Sequence, residues 1–416
     1  MSNRLTVTGA GRIGLPLAVL AAKSGYEVVA VDRDPDLVAA IGAAAVTGQE
    51  PEVAELLDEA VASGRLTAST EPTAAPLQVI CVPSPLTADG HADLAALEEA
   101  AESVGSVLRD GDLVVVETTV PVGTTEGLVR TALAKASGLA PESIRVAYSP
   151  ERLLPGQTIA ELISNARVVG AMTDADGAEA EAFYRSFVQG EVITTDTATA
   201  EFVKLSENAY RDINIAIANS LLLVARASGV DVHEARRIAN LHPRVELLAP
   251  GPGVGGHCLT SDPIFLLDGT EGPDGELIAS ARSINDRMPA VVAQEIDTLT
   301  TRRPSTVLIL GTAYKAGVGD ERESPSLALG VELEALGHRV LLHDTVVPRG
   351  DDLASMVRDA DVLALLVAHD AYAGLHDQLG QASDGLIVYD ATGTLDAADW
   401  TAAARFGALG RPQIAP

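Results

Sequence analysis

One thiol stands apart in this chain. Residues 251–263 read GPGVGGHCLTSDP: Cys258, one of two cysteines in 416 residues, follows a glycine-rich run and His257, and Asp262 stands four residues on. Glycine removes side-chain shielding and allows backbone conformations that expose N–H donors. A cysteine attacks as the thiolate, which needs nearby positive charge or N–H dipoles. His257 is a candidate for that charge, although neighbouring side chains usually point apart. Asp262 could act on water or hold the loop by hydrogen bonds. The other cysteine, Cys81, lies in the apolar run LQVICVP and reads as a small buried hydrophobe. Two cysteines make no disulfide framework, and no CxxC, HExxH or Cys/His cluster points to a metal.

Lysine use is equally selective. Of the 29 basic residues only four are lysine: Lys23, Lys135, Lys204 and Lys315. A compact ammonium with a tunable pKa is a reason to keep lysine where arginine is the rule. Lys23 and Lys135 read as helix-surface residues. Lys204 lies in TAEFVKLSENAYRDINIAIANSLLLVARASGV, which has no Gly or Pro before Gly229. From residue 199 it reads as a helix of roughly 28 residues, long enough to span domains or to build a dimer core. Lys204, Asn208 and Arg211 or Asp212 recur at spacings of three and four and share a face. Such a stripe is ordinarily solvated, with the Ile, Leu, Val and Ala residues on the opposite side.

These groups need a scaffold. The first stretch, RLTVTGAGRIGLPLAVLAAKSGYEVVAVDRD, reads as strand, glycine turn, helix, strand. Gly9, Gly11 and Gly14 form GxGxxG after an apolar strand and before a helix, and Asp32 ends the next strand. That context predicts a dinucleotide site, with pyrophosphate at the helix N-terminus and Asp32 on the adenosine ribose. Asp32 favours NAD over NADP, and Arg33 beside it softens the preference. Strand-like runs follow at 77–83, 112–121, 144–150 and 166–171, with helical stretches near 91–108 and 124–136. Alternating β and α predicts a parallel sheet covered on both faces, with ligands at the carboxyl ends of the strands. Pro83-Ser84-Pro85, Glu117-Thr118-Thr119 and Ser149-Pro150-Glu151-Arg152 fall there. Thr124 and Thr125 read as a helix N-cap.

From 305 the pattern restarts with STVLILGTAYKAG, a helix near 325–336, HRVLLHD, ADVLALLVAHD and GLIVYDATG. The fold class is therefore α/β: two Rossmann-like doubly wound domains joined by a long central helix and a helical middle domain. The expected boundaries are 1–198 for NAD binding, 199–300 for the middle and 301–416 for the second βα domain. A formal charge of −29 excludes nucleic acid and anionic membrane as partners held by the overall field. No apolar run reaches the roughly 18–20 residues of a membrane helix. MSNRLTVTGAG enters a strand without a signal-peptide pattern, so a cytoplasmic protein is expected.

A nicotinamide domain beside a nucleophilic cysteine points to stepwise oxidation of an alcohol: aldehyde, thiohemiacetal, thioester, then acid. That needs bases for alcohol and water and a cation for the developing alkoxide. At this point the chain resembles the UDP-sugar 6-dehydrogenases, through GAGRIGLP, VPSPL, ETTVPVGTT, YSPERLLPGQ, EFVKLSENAYRDINIAIAN, HPRV, GPGVGGHCLTSDP and GTAYKAGVGDERESP. The resemblance runs from about 5 to about 393. It implies oxidation of the C6 alcohol of a UDP-hexose with two NAD, and gives Cys258 the covalent role. It implies that Lys204 stabilises the oxyanion and Asn208 helps position it, while Thr118, Glu151 and Asp262 hold water and manage protons. It places Arg12, Ile13, Pro83, Ser84, Thr118 and Glu151 with the three glycines, Asp32 and Arg33 at the cofactor. The substrate set it implies is Arg152, Leu153, Lys204, Asn208, Arg211, Gly255, His257, Tyr314 and Lys315, with Lys315 on a phosphate and the 248–256 loop along uridine and sugar. Arg244 resembles a residue that reaches a neighbouring subunit's substrate, in a homodimer built on the 199–228 helix.

GGHC, SPER and HPRV resemble the branch that acts on UDP-N-acetylhexosamines, above all UDP-N-acetylmannosamine or UDP-N-acetylglucosamine. The alternatives are UDP-glucose oxidation and a non-catalytic UDP-sugar or NAD sensor. A two-electron hydroxyacid dehydrogenase is disfavoured by Cys258 and the second βα domain. Arg12 stands where the family usually has Tyr, Ser84 where it has Thr, and Thr392 where it commonly has Arg near the substrate.

Overall fold

The computed structural model describes residues 3–153, 156–270, 272–300, 302–380 and 385–411. Leu154 and Pro155 of YSPERLLPGQ lie outside the described residues. The chain forms two compact units, Met1–Glu207 with Ile264–Asp268, and Asn208–Pro263 with Gly269–Pro416.

The first unit carries an eight-stranded sheet in the order β3-β2-β1-β4-β5-β6-β7-β8. The strands are β1 (Arg4–Thr8), β2 (Glu27–Val31), β3 (Leu66–Ser69), β4 (Leu77–Ile80), β5 (Leu113–Val116), β6 (Arg145–Tyr148), β7 (Arg167–Ala171) and β8 (Val192–Thr195). The central strands β4 and β5 are buried along their whole length because both faces are covered, one by the cluster around Leu15, Leu17 and Phe183, the other by that around Leu97, Val129 and Leu133. The parallel expectation fails at one joint. β6 and β7 pair antiparallel through Ala147↔Ala171 and Tyr148↔Gly170, while β7 and β8 are parallel to each other. Among its described residues the connection after β6 contains one helix, Thr158–Ser164, and the chain folds back beside the end of β6. Parallel pairing there would require a full crossover.

Two local expectations are corrected. Thr124 does not cap the helical turn that follows; its hydroxyl donates to Pro121 O at 2.7 Å. The donors at that turn go instead to buried Glu201, whose carboxylate accepts Gly123 N at 2.5 Å and Thr125 N at 2.9 Å. Cys81 is half-buried rather than enclosed. Burial pushes its thiol well above the ordinary value, helped by Glu117, so it remains protonated.

The long helix is Thr197–Ala227, 31 residues. It begins where the Asp196 carboxylate accepts Thr199 N at 2.8 Å. The boundary between the units falls within it, after Glu207. The polar stripe is not solvated: Lys204 is 4% and Asp212 0% exposed. The exposed large residues are apolar, Phe202, Tyr210, Ile217, Leu221 and Val224.

The second unit holds a five-stranded parallel sheet, order β10-β9-β11-β12-β13. Its strands are β9 (Thr306–Leu310), β10 (Arg339–His343), β11 (Val362–Leu365), β12 (Ile387–Asp390) and β13 (Arg405–Ala408). One face packs on Met288, Val292 and Ile296 of the helix Glu276–Leu299, with Leu222 of the long helix in the same cluster. Among the described residues no helix is long and apolar enough to cross a membrane, and no group of three or more His, Cys, Asp or Glu could hold a metal.

Candidate active site

At the end of β1 the chain turns at Gly9, φ +90°, and starts a helix at Gly14. A Cβ on Gly14 would stand 1.9 Å from Gly9 O, so only glycine lets the turn close. Around Gly11 a Cβ would meet nothing within 4 Å, which leaves space above the turn for a pyrophosphate. Ile13 begins the helix without a side-chain cap, so its N-terminal donors are not consumed by a protein carboxylate or hydroxyl. The Asp32 carboxylate is aimed by Ala10 N at 2.9 Å and Asp34 N at 3.0 Å, with acceptor capacity remaining for ribose hydroxyls. Arg12 and Pro83 are exposed at this end. Arg33 is exposed as well, 3.6 Å from Glu99, a weak surface pair. The residues present therefore fit NAD.

At the ends of β4 and β5 two hydroxyls are used by the backbone. Thr118 Oγ1 donates to Val82 O at 2.9 Å and accepts Val82 N at 3.1 Å. Ser84 Oγ donates to Thr119 O at 2.6 Å. Thr118 thus pins the cofactor-side loop and keeps only one lone pair for water. Beneath it, buried Glu117 takes hydrogen bonds from Arg167 and from Tyr184 Oη at 2.6 Å.

The fold brings Lys204 and Glu151 together. Lys204 Nζ donates to Glu151 O at 2.8 Å and reaches Glu151 Oε1 at 3.2 Å. The other carboxylate oxygen accepts Leu153 N at 2.9 Å. Two neighbours are placed differently from expectation. The Arg152 guanidinium is taken by Glu207 at 2.7 Å and by Ala166 O. It holds the 151–153 segment to the long helix rather than pointing an unused fork at a ligand. Leu153 packs on the first unit's apolar core, where an aliphatic side chain is stabilised.

In the second unit Cys258 is exposed and lies in the first turn of the helix His257–Leu267, not in the loop. A helix N-terminus offers N–H dipoles that favour a thiolate. The preceding glycines are seated against a neighbouring loop. A Cβ on Gly255 would stand 2.6 Å from Glu323 O and 2.9 Å from Tyr314 Cβ, and Gly256 N donates to Arg322 O at 3.0 Å. Arg322 lies within electrostatic reach of both Cys258 and His257. Asp320 fixes its guanidinium with three contacts of 2.8–3.1 Å. Arg322 is a positive charge in this region that sequence reading missed; its signal was the Asp320-x-Arg322 spacing within a motif valued for its lysine. Burial, then Arg322, lowers the His257 pKa, so the ring is neutral at pH 7. Its Nδ1 lies 3.4 Å from Ser261 Oγ.

Asn208 and Asp262 meet: Nδ2 donates to Asp262 Oδ2 at 2.6 Å, and Asp262 is 1% exposed. Of the two candidates further along that stripe, Asp212 is buried and Arg211 exposed. Lys315 and Arg244 are exposed. Thr392 is absorbed in its own loop, its hydroxyl donating to Asp390 Oδ1 at 2.7 Å and lying 2.6 Å from Thr394 Oγ1.

Comparison with known proteins gives three matches along the chain. Residues 3–188 match the NAD binding domain of the UDP-glucose/GDP-mannose dehydrogenase family, 198–287 its central domain and 308–397 its UDP binding domain. The chain is 38% identical over 380 residues to UDP-N-acetyl-D-mannosamine dehydrogenase of Methanocaldococcus jannaschii, covering 89% of this chain and 87% of that protein. It is 39% identical over 389 residues to NDP-N-acetyl-D-galactosaminuronic acid dehydrogenase of Ralstonia solanacearum, covering 89% and 92%. The structure of the UDP-D-ManNAc dehydrogenase from Pyrococcus horikoshii superposes with a TM-score of 0.91 at 35% identity, covering 99% of this chain and all of that one.

Proposed function

Because the chain belongs to the UDP-glucose/GDP-mannose dehydrogenase family, whose members of this kind are NAD-dependent UDP-sugar dehydrogenases, we propose that it oxidises the C6 alcohol of UDP-N-acetylmannosamine to the uronic acid through covalent intermediates on Cys258. The carrying observation is an exposed cysteine in the first turn of a helix, where backbone N–H dipoles favour a thiolate. NAD, when bound, accepts the hydride at each of two oxidations. Lys204, oriented by Glu151, stabilises negative charge on the C6 oxygen. Once the aldehyde exists, the Cys258 thiolate adds to C6, and the new C–S bond persists through the second loss of hydride as a thioester. Water then attacks that carbonyl, the C–S bond breaks and carboxylate leaves. Asp262, with Asn208 donating to it, takes the proton of that water. Thr118 and Glu151 serve the cofactor-side loop and proton transfer. Lys315 and Tyr314 serve the nucleotide, with the first 198 residues for NAD, 199–300 for catalysis and the remainder for UDP.

The relative from Ralstonia supports a second reading, a UDP-N-acetylhexosamine of galacto configuration. A panel of UDP-sugars, with NADH counted per molecule oxidised, tests both: two NADH and a clear preference for an N-acetylated sugar are expected. Equal rates with UDP-glucose sink the substrate assignment. Cys258→Ser is expected to retain NAD and UDP-sugar binding and to abolish acid formation; surviving acid formation sinks the covalent role. The exposed apolar face of the long helix, with Ile217, Leu221 and Val224 at spacings of four and three, supports a homodimer through 199–228, with Arg244 reaching its partner. A reactive thiol also favours the reducing cytoplasm.

A further inference from the structure

The cysteine helix contains Pro263. In an α-helix the N–H of residue 263 would bond the carbonyl of Leu259, and proline has no N–H to give. Leu259, directly after the thiol, is thus left with a carbonyl lacking its helical donor. Arg282 of the Glu276–Leu299 helix supplies one, Nη1 to Leu259 O at 3.2 Å. The same nitrogen bonds Asp212 Oδ1, and the other guanidinium nitrogens bond Asp286 Oδ1 at 3.1 and 2.7 Å. From Asp212 a chain of amides continues. Asn285 Nδ2 donates to Asp212 O at 3.0 Å and to its Oδ1 at 2.8 Å. Asn219 Nδ2 donates to Asn285 Oδ1 at 2.9 Å. Asn219 Oδ1 accepts Gly251 N at 2.9 Å.

The direction of every bond is forced. A backbone N–H can only donate, so Asn219 must present its oxygen to Gly251 and its amino group to Asn285, which must then donate to Asp212. Asp212, Asn219 and Asn285 are 0% exposed and Arg282 7%, so water offers no substitute partners. The circuit touches the cysteine segment at two points, Gly251 before the thiol and Leu259 after it. Between them stand Gly253 and Gly256 at φ +138° and +82°, a stretch whose conformational freedom must be restrained if the sulfur is to hold one position.

We propose that Asp212, Asn219, Arg282 and Asn285 are positioning residues that fix the Cys258 segment from both ends, and that Pro263 creates the need for Arg282. This rests on the covalent role of Cys258 and names what holds it in place. Removing Arg282 outright leaves buried Asp212 unpaired, so Arg282→Lys is the informative variant: it keeps the charge and loses the fork. Its kcat is expected to fall about 10- to 100-fold, as misplacement of a reacting group by about 1 Å does, with KM for NAD within about 2-fold. Alkylation of Cys258 by iodoacetamide, followed on its own peptide by mass spectrometry, slows in parallel. Pro263→Ala returns an N–H to Leu259, so the double variant Arg282→Lys/Pro263→Ala regains most of both losses. Asn219→Ala, which disturbs no charge, removes the Gly251 bond and the donor to Asn285, and lowers kcat and the alkylation rate. Wild-type kcat and alkylation in Arg282→Lys and Asn219→Ala, or a double variant with no recovery, overturns the proposal. So does a kcat that merely tracks the folded fraction by circular dichroism. The alkylation rate reports the position of the thiol even where acid formation survives Cys258→Ser, which separates a failure of this circuit from a failure of the covalent reading.

Discussion

The first βα turns of the two sheets start alike and end differently. Gly9 follows β1 at φ +90° and Gly311 follows β9 at φ +86°. Each donates to the last residue of the neighbouring strand, Gly9 N to Val31 O at 2.8 Å and Gly311 N to His343 O at 2.9 Å. Each is followed by an N–H that bonds the acid ending that strand: Ala10 N to Asp32 at 2.9 Å, Thr312 N to Asp344 at 2.7 Å. There the likeness stops. Asp32 takes one more backbone donor, and a helix begins five residues after Gly9, at Gly14. Asp344 also takes Ala313 N, Val346 N, Val347 N and His369 Nε2, and the next helix waits until Pro325. The same turn therefore presents a ligand site in the first unit and a saturated keystone in the second. His369 extends the keystone by accepting Gly317 N at 3.1 Å, which holds the loop that carries Tyr314 and Lys315.

This difference has measurable consequences. The largest belongs to Asp344→Ala, which strands buried donors and should cost on the order of 3–5 kcal/mol of unfolding free energy in urea titrations. A loss below about 1 kcal/mol would mean the second acid is not structural. Asp32→Ala should behave in the opposite sense: KM for NAD rises about 10- to 100-fold, the cost of a charge-assisted hydrogen-bonded pair, while the urea midpoint barely moves. Destabilisation as large as that of Asp344→Ala would erase the distinction between the turns.

Acid titration gives a third test. Burial pushes the Asp344 carboxyl up, but the backbone donors of Val347, Ala313, Val346 and Thr312 outweigh it and hold it at about 2, below the ordinary 3.8. A depressed folded pKa means that the unfolded chain takes up its proton first as pH falls. The contribution, about 2 kcal/mol, is complete above pH 4 and disappears as pH drops through about 2. Urea titrations of wild type and Asp344→Asn should therefore converge in that window; a constant offset down to pH 2 contradicts the assignment. The smallest effect is expected from Arg33→Ala. With its side chain 84% exposed, its partner Glu99 contributes little, so stability and the NAD/NADP ratio should stay within experimental scatter. A marked gain in NAD selectivity would mean that Arg33 acts at the cofactor site.

Much of this is legible in the sequence. The GxGxxG turn is local: Gly14 follows from a Cβ that has nowhere to go, and an apolar run before it can only be a buried strand. Cys258, Lys204, Asn208 and Asp262 stood out by residue type and spacing, but that Lys204 bonds Glu151 and Asn208 bonds Asp262 is seen only in the fold. Other features were not legible. The polar stripe looked solvated because helix periodicity reports which residues share a face, not whether another segment covers it. Arg152 looked like a ligand contact until Glu207 and Ala166 O took its donors. Cys258 looked like a loop residue because glycines precede it, and its place in a helix depends on Arg322 O and Tyr314 seating those glycines.

What the sequence determined by itself were the properties set within a few residues: strand runs, the glycine turns, the long helix and the identity of the reactive groups. Which of two acids at the end of a second strand stays open to a ribose was decided by tertiary structure. The donors that saturate Asp344 come from three separate loops, around 312, 346 and 369, and hydrogen bonds between distant segments leave no period or propensity in the chain that forms them.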